Sequence, residues 1–302
     1  MINQPTLSIV TATRGNFTDY WFEQLLAVKG NVEFILVYPP GVSNQPINDP
    51  RFKIITSPFK GEVMQRFIGL LNASGLYTLA LDDDDYVHPD VLQLVKEYFT
   101  TFPDSWVLRL RMKKIDITDE ERIRSPWEPI PDFKQLDIAP RTQNDKPIIL
   151  QTLPIAPLNN KLDARLLIGA CERRDMHGAH IENFNNKVWQ TELVHQSLAE
   201  LAEVMKIKGN LHWIPSWSLD RLLGLFIQAK FFEEDKTVGH WMPLPEQIRY
   251  IVRPSSIKEL RFYVAADGLL AKRFPQYGYF KNLFFDQLWI GLKIFIRRSF
   301  SK

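Results

Sequence analysis

Four consecutive aspartates, Asp82 to Asp85, are the residues of this chain best suited to chemistry. Left unpaired, adjacent carboxylates at a strand end repel one another, and a divalent cation removes that penalty. Carboxylate oxygens suit hard ions such as Mg²⁺ or Mn²⁺. Magnesium takes one or two protein carboxylates and completes its sphere with phosphate oxygens and water, so a metal here would bridge protein to a nucleotide diphosphate. The plainer alternative is a solvated acidic turn that caps the helix following Pro89.

The elements before the aspartates decide what they can reach. Leu7 to Thr13 is a short apolar, β-branched run and predicts a buried strand. Thr18 or Asp19 can cap a helix running to about Lys29, with Gly30 as its stop. Val32 to Tyr38 and Phe52 to Thr56 predict two more strands. Glu62 to Ala73 places Val63, Phe67, Leu70 and Leu71 on one helical face, with Gly75 just past its end. Leu76 to Leu81 predicts a fourth strand, which runs straight into the aspartates. Strands alternating with helices imply a mostly parallel sheet, and such sheets bind ligands beyond the carboxyl ends of their strands. Thr11 to Asn16 and Asp82 to Asp85 both fall at such ends.

The rest of the chain is less regular. Val91 to Phe99 predicts a helix and Val107 to Met112 a half-exposed strand. Proline and polar residues between about Asp116 and Leu162 predict a long loop or insertion. Thr191 to Lys206 carries Val194, Leu198, Leu201 and Met205 at helical spacing, and Leu219 to Lys230 predicts another helix. Phe285, Leu288, Leu292, Phe295 and Ile296 share a helical face and are followed by Arg297, Arg298 and Lys302. Residues 284–302 therefore predict either an amphipathic helix on an anionic membrane surface or a helix docked on its own core.

Composition narrows the class. Lys plus Arg total 37 against 35 Asp plus Glu, which gives no case for nucleic acid as a partner. Cys171 is the only cysteine, so neither an intrachain disulfide nor a cysteine-based zinc site can form. No signal-peptide pattern opens the sequence and no apolar run is long enough to span a bilayer, which predicts a cytoplasmic protein, at most held at the inner face of the membrane.

The stretch from Ser57 to Leu92 resembles the family 2 glycosyltransferases of the GT-A fold. The elements that carry the resemblance are Ser8 to Asn16, Arg66 with Ala73 and Gly75, Asp82 to Asp85, and Pro89 with Asp90. The resemblance implies a Rossmann-like, mostly parallel α/β sheet with flanking helices and a C-terminal helical segment. It implies transfer of a sugar, with inversion, from a nucleotide-diphosphate sugar to an acceptor hydroxyl on a glycan or lipid-linked glycan. Asp84 would be the ligand of Mn²⁺ or Mg²⁺, and Asp82 or Asp83 would contact the ribose or the metal's surroundings. Thr11, Thr13 and Arg14 would line the nucleotide pocket, and Arg66 would neutralise phosphate or support Asp82. The family places an acid after the second strand to read the base, where this chain has Tyr38, Pro39 and Pro40; Tyr38 could stack on the base instead. Asp220, opening a helix where the family shows a Glu-Asp pair, would take the acceptor's proton, although Leu219 replaces the Glu. Glu172, Asp175 and Glu182 compete for that role. His240, about 20 residues on, would be a further metal ligand and would favour manganese. His177 and His180 suggest an acceptor-binding loop. The organisation expected is a nucleotide-sugar-binding half (1–115), an acceptor-binding and catalytic half (116–245) and a C-terminal extension (246–302). The departures at Tyr38 and Leu219 leave open a binding or scaffold protein without turnover, and a metal-dependent phosphohydrolase is a third reading.

Overall fold

The computed structural model describes residues 4–300 except 45, 141–148, 170, 172, 174–179, 182, 210–217 and 254–263. The chain begins β1 (Leu7–Ala12), α1 (Asp19–Leu26), β2 (Val32–Tyr38), β3 (Phe52–Thr56), α2 (Glu62–Leu71), β4 (Tyr77–Ala80), β5 (Tyr86–Val87), α3 (Val91–Thr101), β6 (Val107–Arg109) and β7 (Met112–Asp116). It continues with α4 (Glu120–Arg124), β8 (Asp137–Pro140), β9 (Ile149–Pro154), α5 (Ala164–Leu167), β10 (Lys187–Gln190) and α6 (Thr191–Gly209). Then come α7 (Ser218–Lys230), β11 (Thr237–Trp241), β12 (Ile248–Val252), α8 (Val264–Arg273) and α9 (Gly278–Phe300).

The β-branched runs form the middle of a nine-stranded sheet of order β3-β2-β1-β4-β10-β6-β11-β9-β8. Strands β1 to β4 pair in parallel, β10 runs antiparallel to both β4 and β6, and β11 is parallel to β6. The carboxyl ends of β1, β2, β4, β6 and β11 therefore share one edge of the sheet. A second, three-stranded sheet has the order β5-β12-β7. The strand expected over Val107 to Met112 is divided between these two sheets at Leu110 and Arg111.

Local chemistry fixes the turns that aim the site. Thr18 caps α1 through its hydroxyl, which accepts from the Trp21 amide at 3.1 Å. Gly75 lies directly on β1, where a Cβ would come within 2.8 Å of the Ser8 amide nitrogen. The small-residue turn before β4 is thus a packing requirement. The Glu33 carboxylate gathers the same corner, accepting from the Ser74 hydroxyl at 2.8 Å and the Gly75 amide at 3.1 Å.

The chain divides into two compact units. The first contains residues 1–153, 184–198 and 237–258, and so holds both sheets. The second contains residues 154–183, 199–236 and 259–302. This differs from the contiguous segments expected at 1–115, 116–245 and 246–302, because β10, β11 and β12 return to the first unit from late in the chain. Most of the loop expected between Asp116 and Leu162 belongs to the first unit, where it supplies α4, β8 and β9.

In the second unit, α7 buries Leu219, Leu222, Leu223, Phe226 and Ile227. Arg221 of α7 meets the fully buried Asp267 of α8 at 2.9 Å, an ion pair between the two helices. The near half of α9 is docked: Tyr279, Phe280 and Leu283 are buried, and Trp289 donates its indole N–H to the Leu166 carbonyl at 2.7 Å. Farther along, Leu288, Leu292 and Ile296 are exposed. Among the described residues, no helix is long and apolar enough to cross a membrane.

Candidate active site

The turn after β4 sends its four aspartates in different directions. Asp82 is paired with the Arg66 guanidinium, whose Nε also contacts Glu62 at 2.7 Å. Arg66 is buried on α2, between a carboxylate from its own helix and one from the strand end. Asp83 accepts from the Thr13 hydroxyl at 2.7 Å, and the Gly15 amide donates to that same hydroxyl oxygen at 2.9 Å. Asp84 is part-exposed and faces Arg253, which follows β12, at 3.4 Å. Burial, and then the charges of Asp82 and Asp83, raise the proton affinity of the Asp84 carboxyl.

Asp85 turns inward. Its carboxylate accepts from the Ile251 amide at 2.9 Å and from the Asn186 side chain at 3.3 Å, while its carbonyl accepts from the Trp21 indole at 2.9 Å. Burial, and then Asp82, push this carboxyl up to about 8. Asp85 is the anchor of the turn, tying β4 to α1, β12 and the bend before β10.

Gln65, which sequence reasoning passed over, has a comparable role. Its buried amide donates to the Thr13 carbonyl at 2.9 Å and the Val37 carbonyl at 2.6 Å, joining the ends of β1 and β2. A polar residue beside Arg66 on α2 looks like a solvent-facing position, so the only signal was that proximity. Arg253 and Asn186 carry no sequence signal, since each reaches the aspartates from more than 100 residues away.

The other expected site residues fall in several places. Thr13 lies at the aspartates, and Arg14 is exposed on the loop beside it. Thr11 is fully buried within β1. Tyr38 is also fully buried, and its ring packs 3.0 Å from where a Cβ on Gly15 would stand. Tyr38, expected to stack on a base, thus supports the loop after β1. His240 is the residue expected as a further metal ligand. It is buried in β11, with Nδ1 2.9 Å from the Tyr98 hydroxyl and its ring 4.3 Å from that of Phe102. Burial pushes it down to about 4, which keeps it neutral. These contacts are those of a core histidine and do not bring it to the aspartates.

Asp220 occupies the first turn of α7 in the second unit and is part-buried. His180, in the same unit, is buried with Nε2 2.8 Å from the Tyr279 hydroxyl, so it packs inside rather than forming an open loop. Glu172, Asp175, His177 and Glu182 lie outside the described residues.

A cavity of about 250 Å³ opens beside Asp83 and Asp84, lined also by Phe17, Tyr20, Arg124 and Arg253. Among the described residues, no three His, Cys, Asp or Glu side chains converge as a complete metal-ligand set. A hard cation that takes one or two carboxylates and draws its other ligands from phosphate and water fits this arrangement.

A sheet of parallel strands interrupted by one antiparallel strand, with acids at the end of the fourth, is the GT-A fold. Residues 42–148, which include the aspartates, match the family described as Glycosyl transferase family 2. That segment is similar to the family 2 glycosyltransferases, and the rest of the chain is similar to them in fold alone. S. aureus TarS 1-349 in complex with UDP-GlcNAc is similar at 14% identity, with a TM-score of 0.51 over 88% of this chain and 66% of that one. The TarS 1-349 structure described without a ligand gives 14% identity and a TM-score of 0.47 over 90% of this chain and 71% of that one. No curated protein matches at the sequence level.

Proposed function

We propose that the chain transfers a sugar, with inversion, from a nucleotide-diphosphate sugar to an acceptor hydroxyl on a glycan or lipid-linked glycan. The observation that carries this is the turn after β4, where Asp82, Asp83 and Asp84 are held by Arg66, Thr13 and Arg253 on the rim at which such sheets bind ligands. In the reaction the acceptor oxygen attacks the anomeric carbon as that carbon's bond to the diphosphate oxygen breaks. The hydroxyl proton passes to a carboxylate, and Asp220 is assigned that role. Asp84, with Asp82 or Asp83, would hold Mn²⁺ or Mg²⁺. When bound, the ion neutralises charge on the leaving diphosphate. Arg253 supplies a second positive charge beside Asp84, and Arg14 stands on the adjoining loop.

Thermal-shift titration of wild type and Asp84→Ala with UDP, GDP and dTDP, with and without Mn²⁺, tests the donor site. A metal-dependent rise in Tm with one nucleotide, lost in the variant, is expected. No shift with any nucleotide in folded protein would count against the assignment. For the base, Asp220→Asn should lower acceptor-dependent nucleotide release at least about 100-fold while leaving nucleotide binding intact. Equal turnover would move the role to another carboxylate.

Membrane-surface contact by residues 284–302, at the cytoplasmic face, is supported by the exposed file Leu288, Leu292 and Ile296, which the basic residues Arg297, Arg298 and Lys302 follow in sequence. Deleting the segment would also remove the docked Trp289, so the test is Leu288→Gln with Leu292→Gln. Co-sedimentation with anionic vesicles should fall in that variant, and unchanged pelleting would sink the idea.

A further inference from the structure

Within the second unit, residues 160–169 form a strap that runs along α9 and is fastened to one face of it at three points. At Gly278 the two backbones are so close that a Cβ would stand 2.3 Å from the Asn160 carbonyl oxygen. Four residues on, buried Asn282 accepts from the Asp163 amide at 2.9 Å and donates to the Lys161 carbonyl at 3.1 Å. Seven residues beyond that, the Trp289 indole donates to the Leu166 carbonyl at 2.7 Å. A Cβ on Gly169, which has a φ of +65°, would stand 2.7 Å from the same indole ring. Steps of four and seven keep to one helical face.

Past Trp289 that face continues without the strap. Leu292 adjoins it and Ile296 lies on it, about 5 and 10 Å farther along the helix, and both are exposed. The strap's own end adds Leu167 and Ile168, also exposed, and Ile168 at 73% is the most exposed large apolar side chain among the described residues. The Trp289 hydrogen bond and the Gly169 contact pin the backbone on both sides of this pair, so the loop cannot turn Leu167 and Ile168 inward without giving them up. Charge decides what suits this apolar ledge. Residues 160–169 and 278–302 together hold seven Lys and Arg against two Asp, while the whole chain is only +2. The rest of the chain is thus net acidic, and positive charge is concentrated in the segments that carry the ledge. A second copy would bring the same charges to the same face and be repelled. An anionic lipid surface matches both features, with acyl chains for the apolar side chains and headgroups for the Lys and Arg.

We propose that the ledge docks on an anionic bilayer and that Leu167 and Ile168 enter the boundary between headgroups and acyl chains together with Leu292 and Ile296. The inference rests on the membrane reading of residues 284–302 and adds to it a second inserting element from a distant part of the sequence. Trp289 is the joint that holds the two elements in one surface.

The probes are vesicles of phosphatidylcholine alone and of phosphatidylcholine mixed with phosphatidylglycerol, with binding read by co-sedimentation. Wild type should pellet with the mixed vesicles and stay in solution with the neutral ones. Leu167→Gln with Ile168→Gln should weaken binding at least about tenfold, and Ile168→Trp should strengthen it. All three substitutions replace exposed side chains, and an unchanged Tm verifies the fold of each variant. If Leu288→Gln with Leu292→Gln impairs binding while the strap variant pellets like wild type, this inference fails and the helix reading stands. A wild type that stays in solution with both vesicles sinks both. Equal pelleting with neutral vesicles would overturn the choice of an anionic surface. Sedimentation velocity without lipid tests the other occupant: a dimer that the strap variant dissociates would assign the ledge to a second copy and overturn the proposal.

Discussion

The Thr13 hydroxyl donates to Asp83 at 2.7 Å while accepting from the Gly15 amide at 2.9 Å, so one oxygen joins the loop after β1 to the turn after β4. Two loops that are 70 residues apart in sequence thereby become one wall of the candidate site. Thr13→Val keeps the shape and removes both bonds. A loss of about 1 kcal/mol in nucleotide affinity is expected, about fivefold in Kd, because a net hydrogen bond contributes on that scale. Nucleotide titration checks it, and an unchanged Kd would show that the loops are held together by other contacts.

Arg66 is buried between Glu62 and Asp82. Arg66→Met would leave those carboxylates facing each other with their shared cation gone. Destabilisation of about 1 kcal/mol is expected, since both carboxylates left behind are part-exposed. Chemical denaturation measures it, and adding Glu62→Gln should recover part of the loss.

His240 gives the fold an acid-sensitive point. Its folded-state value of about 4 lies below the unfolded value of 6.5, so between those limits the unfolded chain binds the extra proton. Stability from this residue is complete above about pH 6.5 and declines as pH falls towards 4, by about 3 kcal/mol in total. Denaturation curves for wild type and His240→Phe across that range should diverge, with the variant the flatter of the two.

Gly239 is hemmed in by β6: an added Cβ would stand 1.8 Å from the Val107 carbonyl oxygen. Relief requires β11 to move off β6, and overpacking of that kind costs about 3 kcal/mol. Gly239→Ala should therefore lower Tm by several degrees. Little change would mean that the two strands separate easily.

The sequence displayed some of this plainly and hid the rest for identifiable reasons. β1, β2 and β3 are continuous β-branched or apolar runs bounded by Gly and Pro, and they fall where those signals place them. β10, β11 and β12 are five residues or shorter and mix Lys187, Gln190, Gly239 and Arg249 among their apolar positions, so no alternation marks them. β8 and β9 sit in a proline-rich stretch, and each ends in proline, Pro140 and Pro154. Within the site, four identical aspartates are degenerate in sequence. Which one turns inward is decided by the Ile251 amide and Asn186, partners that only the folded chain supplies. Tyr38 and His240 are ambiguous in sequence for the same reason, since an aromatic or imidazole ring at a strand end looks alike whether it faces a ligand or the core.

The antiparallel strand β10 has a consequence for how this chain can be cut. It covers the flank of β4 and joins it to β6, yet it is made from residues 187–190. A fragment ending near residue 153 would carry the aspartates but leave the backbone donors and acceptors of β4 and β6 uncovered. Unpaired strand flanks recruit other chains. Such a fragment is expected to self-associate, since β11 and β12, which pair with β6, β5 and β7, are missing from it as well.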